Sequence, residues 1–279
     1  MDLILHIGMP KTGTTSLQEN LLAHNPYYIG KCKKKRYLKS RSNALKPLKE
    51  MAVEFDLFSS KGLDKRLNDW FQRINGYANY KNGVPSLSIS KEELTEWPSQ
   101  GYRDKRPVGL VSKNAGARER PIPIAAFLRE ILVPFWSHWG SVRVAITFRE
   151  QSSYLASLYS QASDRLREAG QSDFQRQVED LIHHEDPSIN WHSIVQDLEW
   201  AVGKENVEVF FFEQMKNIEF WNQFARFMGI SEEMIPDLSH VLGKKENVRN
   251  ETQQETWEIR PYKYSRRTDL LKERLKSLI

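Results

Sequence analysis

Residues 2–16 read Asp2-Leu3-Ile4-Leu5-His6-Ile7-Gly8-Met9-Pro10-Lys11-Thr12-Gly13-Thr14-Thr15-Ser16, and this stretch decides the fold. Asp2 to Ile7 is apolar enough for a strand buried on both faces, as in a sheet covered by helices. Gly8 breaks the strand. Gly8 to Ser16 reads as a loop, and a helix follows through Leu17, Leu21 and Leu22 until Asn25-Pro26 ends it. A strand, a Gly-containing loop with Lys and Thr, and then a helix is a physical device for holding phosphate. Backbone N–H groups supply positive potential, and the lysine adds a full charge.

The rest of the chain extends the same pattern. Helical periodicity covers about 43–58 and 61–75, and Val84 to Ser90 alternates like a strand. Residues 95–106 are loop-like, Pro107 to Ser112 reads as a short strand, and Ile122 to Trp139 as an apolar, aromatic helix. The clearest later strand is Val142 to Phe148, closed by Arg149, with a helix after it through Tyr154, Leu155, Leu158, Ala162 and Leu166. Further helices fall at 171–184 and 190–202, a buried strand at Val207 to Phe212, and a helix at 216–229 closed by Gly229. The tail from about 252 is helical and charged. Strands alternating with helical stretches predict an α/β, P-loop-like three-layer fold, with a mainly parallel sheet covered by helices on both faces. Ligands of such sheets bind beyond the carboxyl ends of the strands. Those ends are Gly8 to Ser16, Ser90 to Glu93, Arg149 and Glu213. No repeat or long linker divides the chain. We therefore expect one domain over 1–279, with insertions at about 26–80 and 95–140 and a helical C-terminal tail.

Gly8 and Gly13 have the separation of the Walker A loop, but Thr14 stands where that motif requires Lys, and the loop's lysine is Lys11. The nucleotide triphosphatase motif thus fails at its most important side chain. Mg²⁺ in that chemistry is usually held by an Asp at a strand end; here the strand ends are Arg149 and Glu213.

The run Pro10-Lys11-Thr12-Gly13-Thr14-Thr15-Ser16 after an apolar strand instead resembles the 5′-phosphosulfate loop of sulfotransferases that use 3′-phosphoadenosine 5′-phosphosulfate (PAPS). A second motif points the same way. In that family a strand ends in Arg and a Ser follows eight residues later, both on the donor's 3′-phosphate; here these are Arg149 and Ser157, within REQSSYLASLYSQ. The wording resembles the bacterial branch related to carbohydrate sulfotransferases. The stretch NWHSIVQDLEWAVGKENVEVFFFEQM is similar to the family's later strand and helix. The likeness covers patches at 3–25, 84–94 and 142–230.

The resemblance implies an enzyme that moves a sulfuryl group from PAPS to a hydroxyl acceptor, a carbohydrate or glycolipid, and releases adenosine 3′,5′-bisphosphate (PAP) without a metal. Lys11 would stand at the leaving oxygen, and Thr12, Gly13, Thr14, Thr15 and Ser16 would cradle the 5′-phosphate. Arg149 and Ser157 would hold the 3′-phosphate. The family's carboxylate base follows a middle strand in an S-S-E-like context, which here reads Ser90-Lys91-Glu92-Glu93. Glu92 aligns best, Glu93 is the runner-up, and His6 beside the loop is a weaker candidate, for which packing in the sheet is the better reading. A late basic loop folds over the donor in the family, which points to Lys244, Lys245 and Arg249; an exposed basic turn explains them equally well.

Composition sets the outer bounds. The chain has 279 residues, 39% hydrophobic and 28% charged, with formal net charge +5, a globular balance with a mild basic excess. Cys32 is the single cysteine, which excludes an intramolecular disulfide and a multi-cysteine zinc site. Residues 31–41 carry seven basic side chains and no acid; a solvated loop explains them, and an anionic acceptor or polymer is the functional alternative. His183, His184 and Glu185, with His192, lack the H-E-x-x-H spacing and read as a solvated helix end. No basic, long apolar start marks a secretory signal, and no window approaches a membrane span. We expect a cytoplasmic protein, with an anchor upstream of residue 1 left open. Two other classes compete with the sulfotransferase: a P-loop nucleotide-dependent kinase, which the Thr14 position opposes, and a non-catalytic polyanion-binding protein, which leaves the loop and Arg149/Ser157 unexplained. Acceptor identity and oligomeric state are not legible.

Overall fold

The computed structural model describes residues 1–9, 11–32, 45–54, 60–78, 86–90, 122–138, 140–162, 170–183, 189–239 and 241–242. Among these, five strands form one sheet: β1 (Asp2–His6), β2 (Tyr28–Gly30), β3 (Ser86–Ser90), β4 (Val142–Phe148) and β5 (Val207–Phe211). Their order is β2-β3-β1-β4-β5, and every pairing is parallel. The expected α/β class and parallel sheet are therefore present. The expected strand at 107–112, the loop at 95–106 and the tail from 252 lie outside the described residues.

The helices are α1 (Thr14–Asn20), α2 (Leu45–Glu54), α3 (Ser60–Ala78), α4 (Pro123–Phe127), α5 (Val133–Trp136), α6 (Gln151–Ala162), α7 (Gln171–His183), α8 (Trp191–Val202) and α9 (Ile218–Phe227). A single helix was expected over Ile122 to Trp139. It is interrupted by a π turn at Leu128–Leu132, where the Val133 N–H reaches back to the Leu128 carbonyl. Pro134 lacks an N–H and its ring crowds the carbonyl four residues back, and the widened turn before it relieves that conflict. At the far end of α9, Gly229 sits at φ +69. Its N–H bonds Arg226 O at 3.1 Å and the Ile230 N–H bonds Ala225 O at 2.9 Å, the paired bonds of a left-handed helix stop.

Side-chain alternation along the strands divides the core into two layers. Leu3, Leu5, Ile7, Leu87, Ile89, Val144, Ile146 and Phe148 pack on one face with α2, α3, α4, α5 and α8. Ile4, Ala145 and Phe210 pack on the other with α1 and α9, through Leu17, Leu21, Phe220 and Phe224. This gives three layers: helix, sheet, helix.

Two details depart from expectation. β2 escapes the sequence pattern because it is three residues long. β5, expected to be buried, is an edge strand with only Phe210 fully inside, and Phe212 leaves it to start a 3-10 segment, Phe212–Lys216. β3 reads Ser86-Leu87-Ser88-Ile89-Ser90, and all five side chains are buried. Its serines face the α1/α9 layer rather than water and find partners there: Ser88 Oγ donates to Met228 O at 2.6 Å and accepts from Asn25 Nδ2 at 3.1 Å.

Candidate functional site

The connection from β1 runs to β2 on one side of the sheet, and that from β4 runs to β5 on the other. The strand order therefore reverses at β1 and β4, and the crevice beyond their carboxyl ends is where open α/β sheets take ligands. The loop after β1 and Arg149 after β4 both emerge at that point. Beyond the strand itself, Ile7 and Met9 donate backbone N–H bonds to Ala145 O and Thr147 O at 3.0 and 3.1 Å. The start of the loop is thus stitched to the end of β4.

Within the loop, Lys11 is half-buried and holds φ +65. A non-glycine residue in the left-handed region is strained by about 1 kcal/mol or more, and such strain gathers at ligand clamps. Gly13 follows at φ +77 as the residue before α1. A Cβ there would overlap Met215 Sδ and come within 2.9 Å of Phe212 Cδ2. Gly8 is excluded from bearing a side chain for a different reason, since its Cβ would overlap the Thr147 hydroxyl.

Thr14 opens α1, is 2% exposed, and its hydroxyl oxygen is buried with no hydrogen-bond partner. Thr15 and Ser16 are half-exposed. Asn20 Nδ2 donates to both Ser16 O and Ser16 Oγ, at 3.0 and 3.2 Å. Thr12 is turned inward: its hydroxyl donates to Met9 O at 2.6 Å and lies 2.8 Å from Thr147 Oγ1. The expected cradle therefore has Thr12's hydroxyl committed within the protein, whereas Thr14's is unspent.

Arg149 is half-buried. Its Nε is buried without a hydrogen-bond partner, and its guanidinium carbon lies 4.9 Å from the centre of the Phe212 ring. Phe212 thus touches both Gly13 of the loop and Arg149 just after β4, bringing together motifs far apart in sequence. Next to Arg149, Glu150 serves as the N-terminal cap of α6: its carboxylate accepts from Ser152 Oγ at 2.5 Å and from the Ser153 N–H at 2.9 Å. Burial opposes its charge, but these bonds outweigh burial and hold its carboxyl below the usual range. Ser157 is half-buried, two turns along α6, on the same face as Ser153 and Ser160. The exposed Glu213 carboxylate accepts the Glu150 N–H at 2.8 Å, so the acid after β5 serves to bind backbone.

His6 is fully buried. Its Nδ1 lies 2.9 Å from Ser90 Oγ, its Nε2 lies 3.3 Å from Thr147 Oγ1, and Phe224 packs edge-on at 5.0 Å. Burial pushes its pKa down to about 3. A sealed ring with both nitrogens engaged has no path to an acceptor hydroxyl, and His6 is a sheet residue rather than a base. Glu92, Glu93, Lys244, Lys245, Arg249, His184, Glu185 and all of 31–41 except Lys31 and Cys32 lie outside the described residues. Among those described, no cluster of three or more metal-ligating side chains occurs, and no helix is long and apolar enough to cross a membrane.

Sequence reasoning did not single out Phe212, Met215, Thr147 or Gln18, and it marked Ser90 only as the end of β3. The only signal for Phe212 was the three-phenylalanine run at the end of β5. An unspent hydroxyl and an unspent Nε beside a glycine with no room for a side chain fit an anionic ligand.

No family model matches the chain, and no curated protein matches it. Among solved structures, a sulfotransferase from Alicyclobacillus acidocaldarius aligns over 85% of this chain and 84% of its own, at 15% identity and a TM-score of 0.44. At that identity and score the likeness carries no argument. The fold is that of a three-layer α/β protein with a P-loop-like connection after β1.

Proposed function

We propose that the chain is a PAPS-dependent sulfotransferase that acts on a hydroxyl of a carbohydrate or glycolipid. One observation carries this reading: Gly13 of the loop and Arg149 after β4 both pack on Phe212. A ligand with a phosphate at each end suits that arrangement.

PAPS supplies an activated sulfuryl group, whose bond to the bridging oxygen of the 5′-phosphate breaks as an acceptor oxygen bonds to sulfur. Lys11 holds positive charge beside that bridging oxygen, where negative charge develops. Thr14 offers its unspent hydroxyl, and Gly13, Thr15 and Ser16 offer backbone N–H groups and hydroxyls to the 5′-phosphate. Thr12 contributes backbone only. Arg149 grips the 3′-phosphate through its planar fork, and Ser157 donates a hydroxyl hydrogen bond to it. Glu92 takes the acceptor's proton, with Glu93 as the alternative. Lys244, Lys245 and Arg249 add positive charge for the donor's phosphates. No metal is required, because Lys11 supplies the counter-charge.

The test is transfer of radiolabelled sulfuryl from PAPS to a panel of neutral, aminated and uronate-containing saccharides in EDTA. Labelled product with wild type, and its loss in Lys11→Ala, supports the reading. No product from any acceptor, with no release of PAP above the uncatalysed rate, contradicts it.

A further inference from the structure

Beneath the loop runs a chain of five hydrogen bonds whose direction is set from its Thr12 end. At one end, Thr12 Oγ1 donates its only hydrogen to the Met9 carbonyl, at 2.6 Å. It must therefore accept from Thr147 Oγ1, at 2.8 Å. Thr147 has then used its hydrogen and must accept from His6 Nε2, at 3.3 Å. At the other end, the Gln18 amide donates to Ser90 Oγ at 2.9 Å. With the ring hydrogen on Nε2, Nδ1 is an acceptor, and Ser90 Oγ donates to it at 2.9 Å. A neutral imidazole with its hydrogen on Nε2 fits this chain; the other tautomer would set the Nε2 lone pair against the Thr147 oxygen, two acceptors with no hydrogen between them. The lowered pKa of the ring agrees with the neutral form.

His6 ends β1, and the members come from the loop and four elements, β1, α1, β3 and β4. Met9 and Thr12 lie in the loop, Gln18 lies one turn into α1, Ser90 ends β3, and Thr147 is the penultimate residue of β4. One ring thus ties down both flanks of the segment that holds Lys11 at φ +65 and Gly13 at φ +77. Every participating side chain is buried: His6 0%, Thr12 0%, Thr147 0%, Ser90 1% and Gln18 3%. Unlike the Thr14 hydroxyl, each of these groups is already engaged within the protein.

We propose that His6 is a positioning residue. Its Nε2–H, acting through Thr147 and Thr12, holds the loop in the shape that grips the donor's 5′-phosphate. The proposal rests on the PAPS reading. Its structural half, the pinning of the loop, is measurable without any ligand.

The decisive variants are Thr147→Val, which keeps shape and deletes the hydroxyl, and Thr147→Ser, which restores it. We expect Thr147→Val to weaken PAP about tenfold, from the loss of a buried hydrogen bond that leaves Thr12 and His6 unsatisfied. Thr147→Ser should return affinity to within about threefold of wild type. In ligand-free protein, amide hydrogen exchange over residues 9–17 should quicken in Thr147→Val and recover in Thr147→Ser, with β5 and α8 unchanged. Thr12→Val on top of Thr147→Val should add little, since both cut the same chain. His6→Gln can keep a donor near the Nε2 position, and His6→Asn can keep only the Nδ1-side acceptor, so Gln should hold PAP better than Asn. Thr147→Val with unchanged exchange in 9–17 and unchanged PAP affinity overturns the proposal, even if its melting temperature falls. Quickened exchange in 9–17 with no PAP binding by wild type overturns the PAPS reading and leaves the pinning role of His6 standing.

Discussion

Acidification isolates the energetic consequence of burying His6. An ordinary histidine titrates near 6.5, and burial brings His6 down to about 3. Below pH 6.5 the unfolded chain binds a proton that the folded chain refuses. The depressed pKa therefore contributes stability that is fully present above pH 6.5 and is lost as pH falls toward 3. Each pH unit in that window costs about 1.4 kcal/mol, so the loss between pH 7 and 4.5 comes to roughly 2–3 kcal/mol. The groups around the ring are the Ser90 and Thr147 hydroxyls and the Phe224 ring, none of which titrates in this range. Urea unfolding of wild type and His6→Gln at half-unit steps from pH 8 to 4.5 reads the effect. Asp2, Glu150 and Asp173 are also held below the usual carboxylate range, where hydrogen bonds outweigh the opposing burial. Their losses at low pH are common to both proteins and cancel in the difference. That difference should be flat above pH 7 and shrink by roughly 2–3 kcal/mol at pH 4.5. A constant difference across the range would show that the ring takes up its proton while folded, and the neutral, one-way hydrogen-bond chain would be wrong.

Three further outcomes follow from the site. Arg149→Ala should weaken PAP by on the order of 1.5–3 kcal/mol and leave adenosine 5′-phosphosulfate, which has no 3′-phosphate, nearly unaffected; equal losses by calorimetry would remove Arg149 from that role. Lys11→Ala should lower turnover by more than it weakens PAP, while Glu92→Gln should keep PAP affinity and lose about 10²–10⁴-fold in rate. Collapse in Glu93→Gln with full activity in Glu92→Gln would move the base by one residue. Gly13→Ala should cost at least about 1 kcal/mol from its positive φ alone, more from overlap with Met215 and Phe212, and should abolish PAP binding in any protein that still folds; retention of tight binding would contradict the packing of the loop on Phe212.

The fold was legible because β1 and β4 are apolar runs closed by unambiguous signals, Gly8 and Arg149. The loop was legible because Lys, Gly and Thr at that spacing serve few other purposes. The polar chain was not. Ser90 and Thr147 are ordinary strand residues, and their meaning arises only when parallel pairing puts β3 and β4 on either side of His6. Alternation in Ser86 to Ser90 signals a strand, but with helices on both faces of the sheet the polar side is buried too. The apolar run places Phe212 last in β5, whereas in the structure it turns out of the strand to touch Gly13 and Arg149. β2 was too short for any periodicity to register.

On the proposed function, the loop after β1 and Arg149 together receive a bisphosphorylated adenosine without a metal. Thermal unfolding with PAP in EDTA, beside ATP with Mg²⁺, tests it most directly. At about 100 times its dissociation constant PAP should stabilise the fold by about 2.7 kcal/mol, with or without EDTA, and ATP with Mg²⁺ should fall well short. Stabilisation by ATP with Mg²⁺ and none by PAP would contradict the account.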